Sequence, residues 1–311
     1  MELITSTAMS RIVRVGIWIS SLATSVLMPV QKARIQIRSL GFHHEFVRRK
    51  LERIRLIFVP LLILIMSIAG RATAGGYFSL KPPGAKLPSD AECAAAVADD
   101  TFEPRPQNNV ANHTTPSMSF LTSYRAAVTN GESGASNTQL LLVDGQFKGT
   151  TDQILKWGAC KWGFDEDTVR AIAVSETHWK QAAVGDVGNG TSLGILQAKT
   201  RDSPSTCKSV ASSQNLAQIN NSDCQLHLST AFAVDYVLAL HRACFEGAID
   251  YLKTRVPSPG YPTYPNGTID EMNWGCVGQW YSGSWYDQAA IKYIADVKAN
   301  LADRPWTKPG F

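Results

Sequence analysis

Glu176 is the residue whose position invites chemistry. With Val169, Ile172 and Ala173 it falls at i, i+3, i+4 and i+7 of one stretch, so its carboxyl lies on the helix face that packs inward. Withdrawing water from a carboxylate penalises its charged form and raises its pKa. An acid still protonated near neutrality can hand its proton to a leaving oxygen. Trp179, one turn further on, would add an apolar wall or a ring face for a sugar. The competing reading is an ordinary carboxylate at a frayed helix end, reaching solvent or pairing with Lys180. Asp186, in Gly185-Asp186-Val187-Gly188-Asn189-Gly190, is flanked by glycine, which by itself is ordinary turn chemistry. Tyr281 stands among Trp274, Trp280, Trp285 and Tyr286, and that aromatic crowd serves equally for packing or for stacking.

The elements that must position these groups are legible from residue 150 onward. Thr150 with Gln153 three residues later is a capping box for a helix through Cys160. A second helix opens at Asp165, with Phe164 and Val169 at staple spacing and Glu166 and Asp167 in its first turn. Ser229–Phe245 reads as a long, mostly apolar helix stopped at Gly247. A last helix over about 284–301 carries Ile291, Ile294, Val297 and Leu301 on one stripe, with Pro305 beyond. Residues 183–198 are Gly-rich with short apolar runs, suited to loops and small strands. The expected fold is mainly α, a helical domain over 150–311 with a small β element.

Residues 75–149 are rich in Pro, Gly, Asn, Ser and Thr, and read as an extended arm packed on that domain. Within it only Ala91–Ala98 looks helical, and Leu140–Val143 followed by Asp144-Gly145 could form half of a hairpin. Residues 1–74 differ again. They hold 11 of the 30 Lys and Arg but only 3 of the 26 Asp and Glu, leaving 19 basic and 23 acidic residues beyond. The body therefore has no basic excess to neutralise phosphates, which excludes nucleic acid as the expected partner. A hydrophobic content of 44% with 18% charged residues also excludes a disordered chain. In the leader, Val15–Gln31 follows Arg11 and Arg14. The denser Leu56–Ala69 follows a basic cluster and precedes Ala72-Thr73-Ala74, a small-x-small pattern. This describes a secretory signal ending near Ala74, the alternative being a membrane anchor.

All six cysteines lie beyond the leader. An even count in an exported chain reads as a disulfide framework, and without a Cys-x-x-Cys a structural metal is the weaker reading. Spacing does not choose among the possible pairings. The expected set is Cys244–Cys276, Cys207–Cys224 and, by remainder, Cys93–Cys160.

Taken in order, Glu176-Thr177-His178-Trp179, then Gly185-Asp186-Val187-Gly188-Asn189-Gly190, then Ser192-Leu193-Gly194-Ile195-Leu196-Gln197, then Trp280-Tyr281-Ser282-Gly283 resemble the goose-type lysozymes and soluble lytic transglycosylases of the lysozyme-like superfamily. The resemblance covers residues 150–303, about half the chain. It implies an α+β lysozyme-like fold and cleavage of the β-1,4 bond between N-acetylmuramic acid and N-acetylglucosamine in peptidoglycan glycan strands. Carried over by position, Glu176 matches the general acid and Tyr281 a tyrosine beside it. Gln197 matches a cleft residue that hydrogen-bonds substrate, with Ser192 and Gly194 of the same motif as further substrate contacts. Asp186 matches an aspartate that holds the attacking water.

The chain departs from the pattern at Thr177 (usually Ser), at Leu196 (usually Met) and at Lys199, where goose-type enzymes carry a second aspartate. That last departure tilts the expected outcome from hydrolysis toward a transglycosylase reaction yielding a 1,6-anhydro sugar. No metal or organic cofactor is expected, and the chain is expected to act as a monomer, secreted or in the cell envelope. A cell-wall-binding protein with the same fold and no turnover is the alternative from another class.

Overall fold

The computed structural model describes residues 77–130, 137–186, 191–200 and 222–311. The leader's apolar runs and Ala72-Thr73-Ala74, the turn residues Val187–Gly190, and Cys207 with its expected bond to Cys224 lie outside the described residues. In chain order the elements are α1 (Asp90–Ala96), α2 (Asn109–Asn112), α3 (Met118–Thr129), α4 (Asn137–Leu140), α5 (Thr151–Trp162), α6 (Glu166–Thr177), β1 (Val184–Gly185), β2 (Thr191–Leu193), β3 (Ala198–Thr200), α7 (Ser222–Leu228), α8 (Thr230–Phe245), α9 (Ile269–Ser282) and α10 (Gln288–Asp303). The protein is thus mainly helical with a small antiparallel sheet in the order β1-β2-β3.

The helix starts follow from side chains that satisfy free amide groups. Thr150 and Gln153 form the reciprocal capping box of α5, and Asp165 accepts from the Thr168 amide to open α6. Ser229 caps α8, and Asp287 caps α10 slightly later than the apolar stripe alone indicated. α9 is an element the apolar pattern did not announce. Its signature was nevertheless present in Thr268 and Glu271, a second capping box, with Gly283 closing the helix at a φ of 71°.

Packing is organised around α8. Fourteen of its 16 residues are buried, as expected of a helix that is apolar all round. It contacts α2, α4, α5, α7 and α9, while α6 lies against α5 and α10, and α10 lies against α9. Cys244–Cys276 clips α8 to α9, and Cys93–Cys160 clips α1 to α5. Both match the expected pairings and suit an oxidising compartment. No helix among the described residues is long and apolar enough to cross a membrane.

The segment 75–149 is less extended than its composition implied. It carries α1 to α4, and Phe120, Leu121, Tyr124, Val128, Leu140 and Val143 belong to the same continuous core as the later helices. The expected half-hairpin at 140–143 is instead the end of α4 and a turn, with the Leu142 and Val143 amides bonded to Gln139 and Leu140. Leu140 and Val143, both fully buried, are three apart and so fall on one side of a helical turn. The amides of Asp144 and Gly145, which a strand ladder would have used, donate at 2.9 Å to Asp235 of α8.

Asp235 is the polar anchor of this packing. It is fully buried, and besides those two amides it accepts from Lys161 Nζ at 2.9 Å and Trp162 Nε1 at 2.7 Å. Burial works against the Lys161 ammonium, but the carboxylates of Asp235, Asp144 and Asp90 together hold it charged, above its ordinary range. Removing one partner of such a set strands the others in a dry interior. Asp235→Ala is therefore expected to lower unfolding stability by about 3–5 kcal/mol. Urea unfolding followed by circular dichroism measures this, and a loss below about 1 kcal/mol would remove Asp235 as the anchor.

Candidate functional site

A cleft of about 810 Å³ opens where the C-terminal end of α6, the sheet, the end of α9 and one face of α10 meet. Its size falls within the range of roughly 300–1,000 Å³ usual for sites that enclose a ligand. Glu176 reaches it from the last turn of α6, whose inner face buries Val169, Ile172 and Ala173 as the periodicity required. The helix then stops abruptly. His178 and Trp179 adopt φ values of 51° and 63°, left-handed conformations that non-glycine residues hold only when their surroundings impose them.

The Glu176 carboxyl is partly buried, and withdrawal from water raises its pKa from the ordinary 4.5 to about 7. A hydrogen bond donated by the Tyr293 hydroxyl to Glu176 Oε1 opposes that rise, and the negative charge of Asp186 adds to it. Burial and the adjoining carboxyl in turn hold the Tyr293 phenol protonated, well above its ordinary value. Tyr293 is the residue of this candidate site that the sequence motifs missed. It lies on the buried stripe Ala290, Tyr293, Ile294 and Val297 of α10, and a hydroxyl on that stripe was the available signal. Tyr281, expected beside the acid, lines the cleft with 61% exposure and stacks on Tyr293, the ring centroids 4.8 Å apart and nearly parallel. It therefore touches the acid's partner.

The sheet supplies the polar side of the cleft. Its register pairs Gly185 with Ser192 and Ser192 with Lys199, so the Ser192 and Lys199 side chains stand side by side on one face. Asp186 follows Gly185 with a φ of 54°; its Oδ2 accepts from Ser192 Oγ at 2.7 Å and lies 3.9 Å from Lys199 Nζ. Ser192 thus orients Asp186. Gln197 also lines the cleft, but its Nε2 donates to the carbonyls of Gly194 and Ala183 at 2.9 and 3.3 Å. Lys292 and Asp296, paired at 2.7 Å, and Asn300, bonded to Ser175 at 2.9 Å, complete the α10 side.

Two expected site residues are elsewhere. Trp179 is 1% exposed and its indole donates to the Arg170 carbonyl at 3.0 Å. The left-handed turn swings it into the core against Trp306 and Phe311, so it offers no ring face to a sugar. Gly194 does not line the cleft. It is a glycine because its φ is 79° and any Cβ would come within 2.4 Å of the Leu226 carbonyl. Among the described residues no cluster of three or more His, Cys, Asp or Glu side chains is placed to hold a metal ion.

The raised pKa of Glu176 has a stability consequence independent of any activity. A carboxyl that binds its proton more tightly folded than unfolded lends relative stability at low pH, and that stability is lost as pH rises from 4.5 through about 7. Glu176→Gln is expected to match the parent near pH 4 and exceed it by about 1–3 kcal/mol at pH 8. Thermal unfolding at the two pH values measures the difference, and equal gains at both would contradict the burial of this charge. Comparison with family models, with curated proteins and with solved structures finds nothing that matches this chain.

Proposed function

We propose that this protein is a lysozyme-like lytic transglycosylase that cleaves the β-1,4 bond of peptidoglycan glycan strands, with Glu176 as the acid and then the base. The observation that carries the reading is a partly buried carboxyl, bonded to a buried tyrosine and opening into a polar cleft of about 810 Å³, where withdrawal from water pushes its pKa up to about 7. The ordered motifs from Glu176 to Gly283 supply the substrate, and the disulfides agree with work outside the cytoplasm, secreted or in the cell envelope.

In this reaction protonated Glu176 gives its proton to the glycosidic oxygen as the C–O bond breaks and the ring becomes oxocarbenium-like. The sugar's own 6-hydroxyl then attacks the anomeric carbon and returns its proton to Glu176, forming the anhydro ring with no water consumed. One carboxyl does both jobs, and a pKa near the working pH suits both. The exposed Tyr281 ring, stacked on Tyr293, offers the flat surface for a saccharide that Trp179 does not.

A hydrolytic ending is the second reading, favoured by one observation. Asp186 lies in the same cleft, oriented by Ser192, where it could hold a water. Against it, Lys199 stands 3.9 Å from that carboxylate and draws on its charge. Mass spectrometry of digested sacculi separates the endings by one water, anhydro ends being expected. A protein that only binds the wall would release no soluble product, and its binding would survive Glu176→Gln. The enzyme reading requires that substitution to reduce lysis by about 100-fold or more.

The pH profile adds a signed test. Activity that needs protonated Glu176 should fall as pH rises through about 7. The Tyr293 hydroxyl favours the ionised carboxyl, so Tyr293→Phe should move that limb to higher pH while lowering kcat roughly tenfold through lost orientation. A limb that stays in place would detach Tyr293 from the acid.

A further inference from the structure

The chain immediately after Glu176 is held by residues of the 75–149 segment, far away in sequence. Arg105 Nε donates to the His178 carbonyl at 2.7 Å while its guanidinium lies 4.0 Å over the Phe311 ring. Asn108 is 1% exposed and uses every polar group it has. Its Nδ2 donates to the Trp179 carbonyl at 2.7 Å and to Thr151 Oγ1 at 3.0 Å, and its Oδ1 accepts from the Gln181 amide at 3.0 Å. Glu103 fixes this stretch in turn, accepting from the Thr151 amide at 2.7 Å and from Asn112 at 2.8 Å.

Gln181 carries the constraint on to the sheet. It is also 1% exposed; its Oε1 accepts from the Ile195 amide at 3.0 Å and its Nε2 donates to the carbonyls of Leu226 and His227. Ile195 lies in the turn between β2 and β3, the strands that bring Ser192 and Lys199 to the cleft. Thr177, next to Glu176, donates to the Ile195 carbonyl at 2.9 Å. One buried amide in the arm therefore fixes the left-handed turn beyond Glu176 and, through a second buried amide, the sheet that holds Asp186.

We propose that the stretch from Glu103 to Asn112 is a built-in brace for this site, with Asn108 as the positioning residue that registers the Glu176 side of the cleft against its sheet side. Replacing Asn108 by Ala leaves the Trp179 carbonyl and Gln181 amide unpaired in a dry interior, and the turn opens to find water. Water admitted behind the Glu176 carboxyl weakens its hold on its proton.

Hydrogen exchange on the full chain tests the brace without reference to any reaction. Asn108→Ala should speed exchange roughly tenfold in peptides covering 177–183 and 194–198, with peptides of α8 unchanged. Arg105→Ala removes the donor to His178 and the guanidinium over Phe311 but leaves the buried amides of Asn108 and Gln181 in place. It should loosen 177–183 alone, which keeps the proposal measurable if Asn108→Ala does not fold. Exchange that rises equally in α8, or fails to rise at 177–183 in both variants, overturns the brace. The kinetic consequence rests on the proposed glycosidase reading. There, Asn108→Ala should cut kcat more than it raises KM and shift the basic limb of the pH profile downward by at least about half a unit. A wild-type protein inert on sacculi would defeat the glycosidase reading while leaving the exchange result to decide the brace.

Discussion

Everything at this site depends on how much water the Glu176 carboxyl is denied. A carboxyl fully in solvent is ionised at neutral pH and has no proton to give; one sealed in the core never ionises and cannot take a proton back. Glu176 lies between these limits, partly buried at the last turn of α6, with a pKa near 7. Burial pushes the value up, and the Tyr293 hydroxyl restrains it. The tyrosine therefore does two things at once, setting the direction of the carboxyl and limiting its basicity.

That balance needs a rigid frame because small movements change hydration steeply. The frame is the sandwich of α6 between α5 and α10, with α5 tied to the apolar α8 through Lys161, Trp162 and Asp235. Asn300 of α10 donates to Ser175 one residue before Glu176, and Tyr293 of the same helix donates to Glu176 itself. Two contacts from one helix on consecutive residues fix both the position of the α6 terminus and its rotation about the helix axis. The cost falls on the backbone just beyond, where His178 and Trp179 are left-handed and the helix ends at once.

Local rules made much of this legible. Capping residues announced α5 and α6 because their energetics involve near neighbours in sequence, α8 was read from its apolar run and the glycine that stops it, and the position of Glu176 followed from the helical repeat alone. Trp179 went astray for a related reason. A helical extrapolation assumes the helix continues, whereas two left-handed residues turned the indole inward. Tyr293 could not be paired with Glu176 from sequence, since their contact spans 117 positions and depends on how α6 and α10 cross. The arm was read as extended because Pro and Gly punctuate it, yet Leu140 and Val143 are buried in the same core as the later helices. Tertiary packing there outweighed local propensity.

The sheet side of the cleft bears on what the acid can do next. Ser192 and Lys199 are cross-strand neighbours, so the hydroxyl that orients Asp186 and the ammonium that faces it arrive together by register. An exposed pair at 3.9 Å is weak, worth at most about 1 kcal/mol, so the lysine moderates Asp186 without abolishing it. The negative charge that remains helps keep Glu176 protonated. A second carboxylate can therefore serve the acid electrostatically even when it activates no water. Under the proposed reaction this is the role left to Asp186: close enough to raise the proton affinity of Glu176, and tethered enough to leave the attack to the sugar's own hydroxyl.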